Sequence, residues 1–196
     1  MKDEQGYSLV ELLVTMVILG VVLSGLTTVF ISGSSATVSL NLRAQGQQNA
    51  RLALDRLRVD IHCASAAQAQ TINTYPGIKL NYSNCSTTTP TVSYCVVQFS
   101  STPLRYQLFR ATGTGSTDCT SSDSTRVLVA DYLTSSSVFT TSAIPQYSLQ
   151  TVGIDLKVDA NPKSTTLYSY ELTDAIVARN STRCTSGSTC SVPTVS

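Results

Sequence analysis

Charge is scarce in this sequence. Only 13% of its 196 residues are charged, the formal net charge is +1, and Lys and Arg form no long run. A nucleic-acid backbone would need such a basic footprint, so strong DNA binding is not expected. Histidine is scarcer still: His62 is the only one. A Ser-His-Asp or Cys-His arrangement would have to be built on it. No Gly-x-Ser-x-Gly surrounds any serine, and no Gly-rich phosphate loop or Walker pattern occurs. His62 adjoins Cys63, but no further ligand set accompanies them, and no Cys-x-x-Cys spacing exists. Asp118 and Asp123 share a stretch, yet their spacing is not that of a calcium loop. No internal repeat appears. The chain is therefore read as a non-enzyme, with no catalytic residue, cofactor or metal expected. What it has in place of charge is hydroxyl: Ser and Thr exceed a quarter of the residues, which suits an extracytoplasmic surface.

Residues 7–31 read YSLVELLVTMVILGVVLSGLTTVFI. As a helix at ~1.5 Å per residue this run is about 37 Å long, enough to cross a ~30 Å hydrocarbon core with some tilt. One residue is out of place. Glu11 lies inside the apolar run, where an ionised group costs about 2.5–3.5 kcal/mol near a bilayer centre and usually has a partner. Near the segment's end the cost is smaller, and the side chain can instead snorkel to the interface.

Six cysteines, at 63, 85, 95, 119, 184 and 190, all lie beyond the apolar run. In an exported domain their even number reads as disulfides. Short loop closures favour Cys85–Cys95 and Cys184–Cys190, which leaves Cys63–Cys119 by elimination.

The residues before the run carry a resemblance. Met1-Lys-Asp-Glu-Gln-Gly6 is a short polar leader ending in glycine, followed by Tyr7-Ser8-Leu9-Val10-Glu11. A secretory signal is cut after its apolar region; here the glycine precedes it. The arrangement resembles the class III signal of type IV prepilins and type II secretion pseudopilins. The resemblance implies cleavage between Gly6 and Tyr7 by an aspartic prepilin peptidase on the cytoplasmic face. It also implies N-methylation of Tyr7, retention of the apolar helix, and Glu11 as the fifth mature residue, where the family carries its glutamate. A carboxylate there can neutralise the new amine at Tyr7, its own or a neighbour's, and an unpaired charge in a filament core would be costly. Glu11 is thus the candidate filament-assembly residue. Three departures stand out: Tyr7 replaces the usual Phe, Asp3 and Glu4 dilute the positive leader, and Thr28 stands where major pilins often have a helix-kinking Pro. The last tilts the reading towards a minor subunit. Gly20 and Ser24 form a small-x-x-x-small pair suited to close helix packing.

After Ser32-Gly33-Ser34-Ser35, a loosened turn or short hinge, helical periodicity returns over 36–66. Ala50, Leu54, Leu57 and Ile61 form one apolar stripe, and Arg56 is spaced to pair with Asp60. The segment 50–61 resembles the corresponding helix of J-type minor pseudopilins and W-type minor pilins. Beyond it, period two and turn residues predict strands at 78–82, 92–99, 104–110, 126–133, 147–158 and 167–179. The clearest alternation sets Val152, Ile154, Leu156 and Val158 against Gly153, Asp155, Lys157 and Asp159. The last two strands are expected to form a hairpin.

The expected architecture is the α+β pilin fold: a long N-terminal helix, half in the membrane, its other half against an antiparallel β-sheet. The expected division is a leader at 1–6, a transmembrane and filament-core helix at 7–31, an amphipathic half at 32–66 and a β-rich domain with disulfides at 67–196. The implied protein is a structural minor pilin or pseudopilin anchored in the inner membrane by a single pass, with its β domain outside the cytoplasm until it enters a pilus or pseudopilus. Its implied partners are other pilin subunits, prepilin peptidase and the inner-membrane assembly platform. The alternative is a minor pilin whose β domain binds DNA or a surface.

Overall fold

The computed structural model describes residues 8–82, 91–113, 119–120, 125–161, 167, 169–185, 189–191 and 193. Two compact units divide the chain, Met1–Leu42 and Arg43–Ser196. One helix, α1, runs from Leu9 to Cys63. It includes residues 32–35, so the expected turn there is absent, and the Ser35 hydroxyl donates to the Ile31 carbonyl at 2.9 Å. The helix ends three residues short of the expected 66, because β1 (Ala64–Ile72) begins at once.

The remaining strands are β2 (Tyr75–Tyr82), β3 (Thr91–Ser101), β4 (Leu104–Gly113), β5 (Val127–Leu133), β6 (Phe139–Thr141), β7 (Ile144–Pro145), β8 (Thr151–Asp159), β9 (Ser169–Val177) and β10 (Thr189–Cys190). The main sheet is antiparallel and runs β1-β2-β3-β4-β5-β8-β6, with β9 on β8; β7 and β10 form a separate pair. The sheet curls. Its first and last strands meet where Thr141 of β6 accepts from the Ala69 amide of β1 at 3.3 Å. Fully buried Gln150 takes both backbone groups of Ala67, accepting from its amide at 3.0 Å and donating to its carbonyl.

The helix stripe packs as expected: Ala50, Leu54, Leu57 and Ile61 are all buried in one cluster with Tyr94, Val96, Leu108 and the inward β8 residues Val152, Ile154, Leu156 and Val158. The β8–β9 hairpin forms in register from Thr151↔Val177 to Asp159↔Ser169. Asp159 departs from the expected alternation. It is 2% exposed, and its Oδ2 accepts from Arg105 Nη2 at 2.7 Å and Nε at 3.1 Å.

Three expected pairings are corrected. Asp60 does not face Arg56. It is buried at the helix–sheet boundary, where its Oδ2 accepts from Arg110 Nε of β4 and from the Tyr94 hydroxyl of β3, both at 2.6 Å. Cys95 bonds to Cys119, which excludes both Cys85–Cys95 and Cys63–Cys119. The cause is the two-residue period of a strand. Tyr94 and Val96 face the helix, so Cys95 faces the other side, where it joins a small cluster with Ile72, Ala111 and Cys119. Cys63, at the helix end, packs on the main cluster instead. Cys63 is itself disulfide-bonded, and Cys184 bonds to Cys190. Cys85 lies outside the described residues.

Asp60 sets the energetics of this boundary. Removing one member of a buried ion pair strands the other, at about 3–5 kcal/mol. Asp60→Ala should therefore destabilise the detergent-solubilised protein by about 3 kcal/mol in a denaturant titration, the lower end because Arg110 is not wholly buried. Asp55→Ala removes only an exposed contact to Arg58 and should cost less than about 1 kcal/mol. Burial, and then the Asp60 charge, also raise the Tyr94 and Tyr82 phenols above their ordinary value. The unfolded chain then loses these protons first. Stability should be full below about pH 10 and fall as pH rises beyond it. Tyr94→Phe should flatten that alkaline limb in thermal melts.

Candidate functional site

The sequence points to the start of α1, and the structure describes it from Ser8 onward. Gly6 and Tyr7, the expected cleavage and methylation positions, lie outside the described residues. Ser8 precedes the first helical residue, and its carbonyl accepts from the Leu12 amide at 3.2 Å. Glu11 falls in the first turn, where the positive end of the helix dipole favours an anion. It is exposed.

The segment that follows has no partner among the described residues. Sixteen large apolar side chains between Leu9 and Ile31 are exposed, from 48% at Val14 to 82% at Leu9. Burying each would gain about 1.5–3 kcal/mol, so water is not the solvent this surface is built for. By length and composition α1 is the one described helix able to cross a membrane, and its most apolar window is wholly unburied. An added Cβ at Gly20 or Gly25 would meet nothing within 4 Å, so contacts within the chain do not require glycine there.

The threonine hydroxyls of this segment are satisfied locally. Thr15 donates to Leu12 O at 2.8 Å, Thr27 to Leu23 O at 2.7 Å and Thr28 to Ser24 O at 3.1 Å. Thr37 and Ser39 continue the pattern onto Gly33 O and Ser35 O. At position 28 a proline would remove the backbone donor to Ser24 O and break the ladder; threonine adds a second donor instead.

His62 is held at the end of α1, its Nδ1 2.8 Å from the Val177 carbonyl of β9. That contact requires a proton on Nδ1. A cleft of about 500 Å³ beside it is lined by Arg58, Asp174 and Arg179, with Arg58 bound to both Asp55 and Asp174. No cluster of His, Cys, Asp or Glu able to hold a metal occurs among the described residues. Asp118 and Asp123 lie outside them. Asn180, in an Asn-x-Thr triplet, uses its amide to donate to the Cys63 carbonyl at 3.2 Å.

Sequence reasoning missed Leu52 and Val59. Both sit on α1 outside the buried stripe and are 67% and 59% exposed. Their signal was present as two aliphatics seven residues apart, off the stripe.

Residues 1–27 match the family model for the prokaryotic N-terminal methylation motif, the signal of type IV pilin-like prepilins. No curated protein and no solved structure matches the chain. The motif and the architecture agree: a prepilin-type signal opens a long helix that leads into an antiparallel curled sheet, the α+β arrangement of a pilin.

Proposed function

We propose that this protein is a structural minor subunit of a type IV pilus-like filament, a minor pilin or pseudopilin of the W or J kind. Prepilin peptidase cuts it between Gly6 and Tyr7, Tyr7 is N-methylated, and α1 holds it in the inner membrane until the assembly platform adds it to a filament. The observation that carries this reading is the bare apolar start of α1. It bears Glu11 in its first turn and lies directly behind a matched methylation motif. Lipid covers such a surface before assembly and neighbouring helices cover it afterwards.

The continuous helix through Thr28, where major pilins often have a proline, supports the minor role, and Gly20, which no contact within the chain requires, suits packing on another helix. Glu11 supplies the selectivity. Once Tyr7 is freed, its amine is a cation in an apolar setting, and the carboxylate four residues on can neutralise it across a subunit boundary. A wrongly seated subunit leaves both charges unpaired. The pilin-like motif and fold support a structural, non-enzymatic reading.

Mass spectrometry of the membrane-bound protein should find an N-terminal peptide beginning at methylated Tyr7. An intact Met1 start in cells with active prepilin peptidase would sink the proposal. Glu11→Ala should leave that cleavage intact and lower the protein's share in sheared filaments at least about tenfold, the effect of losing some 1.4 kcal/mol at the docking step. Normal incorporation of the variant would remove Glu11 from the assembly role.

A further inference from the structure

Within residues 43–63, α1 buries Ala50, Ala53, Leu54, Leu57, Asp60 and Ile61 against the sheet. Leu52 and Val59 are two turns apart, one above the other on the side away from that face, and are 67% and 59% exposed. Two exposed aliphatics are ordinary by themselves. The charges around them are not.

Arg51 and Arg56 are both exposed and make no ion pair among the described residues. The nearby acids are already paired. Asp55 is held by Arg58, Arg58 also holds Asp174, and Asp60 is buried on Arg110. The free face of this segment therefore carries two guanidiniums outside any ion pair and no carboxylate outside one, in a chain whose net charge is only +1. A second copy packed on the same face would set guanidinium against guanidinium in a partly desolvated contact, which disfavours self-pairing. An acidic neighbour meets no such penalty.

We propose that the Leu52–Val59 face is a docking surface for a helix of a different subunit, one with an aliphatic ridge flanked by Asp or Glu. This rests on the filament-subunit reading above and adds the kind of neighbour: a non-identical, acidic one. Leu52 and Val59 supply the apolar contact, and Arg51 and Arg56 supply the choice of partner.

The test places a photocrosslinking amino acid at Leu52 or Val59 of the full-length protein in its native membrane, with a third site at Val17 in the apolar run. The crosslinked peptides are then sequenced. Positions 52 and 59 should capture a helix of another subunit that carries Asp or Glu at the junction. Arg51→Glu with Arg56→Glu should cut that yield at least about tenfold while crosslinks from Val17 persist, and Arg51→Lys with Arg56→Lys should restore most of it. Capture of a second copy, capture of a helix without acids, or a yield indifferent to charge reversal overturns the proposal. Crosslinks from Val17 with none from 52 and 59 overturn it while leaving the filament reading intact. No subunit crosslinks from any of the three positions overturn both.

Discussion

The carboxylate of Asp60 lies between a guanidinium from β4 and a phenol from β3, and through it the last turns of α1 are fixed in rotation on the sheet. An apolar stripe alone tolerates some roll, because aliphatic contacts are not directional. A buried carboxylate accepting two bonds at 2.6 Å does not. Every other assignment on this part of the helix follows from that orientation. Leu54, Leu57 and Ile61 enter the core, His62 reaches the Val177 carbonyl, and Leu52 and Val59 are left outside.

The edges of the sheet are handled by side chains as well. An open strand edge is a template for unwanted pairing. On β1 the outward groups of Ala67 and Ala69 are taken by Gln150 and Thr141. On β9 the Ala175 amide is held by the Asp174 carboxylate at 2.8 Å, and the Val177 carbonyl by His62. Side chains do here what a further strand would do. In a protein proposed to meet many neighbours during assembly, blunted edges leave the helix as the surface through which it pairs.

Much of this was legible in the sequence, for physical reasons. The apolar run, the helical stripe at 50–61 and the β8–β9 alternation each repeat a strong pattern over many residues. β1 was not legible: Ala64-Ser-Ala-Ala-Gln-Ala-Gln reads as helix by composition, and only pairing with β2 makes it a strand. Residues 75–77 were missed because Pro76 and Gly77 signal a turn, whereas Gly77 is needed in β2 for the close approach of the Tyr94 carbonyl. Local helical spacing paired Asp60 with Arg56; the true partner is 50 residues away. Cys184–Cys190 closed as the short loop suggested, but the other two cysteine pairings failed in the same way, since loop length says nothing about which face of a strand a thiol occupies. At the candidate site, the leader, Gly6 and Glu11 were legible as a spacing. The unpaired arginines around Leu52 were not, because the sequence could not show that Asp55 and Asp60 were already engaged.

The hydroxyls along α1 have one more consequence. Thr15, Thr27, Thr28, Ser35, Thr37 and Ser39 each donate to a carbonyl three or four residues back in their own helix. None relies on water or a second chain for that bond. A helix so equipped makes the same polar demands of lipid as of packed protein. For these six side chains, passage from one to the other exchanges only dispersion contacts, and extraction from the bilayer breaks none of their hydrogen bonds.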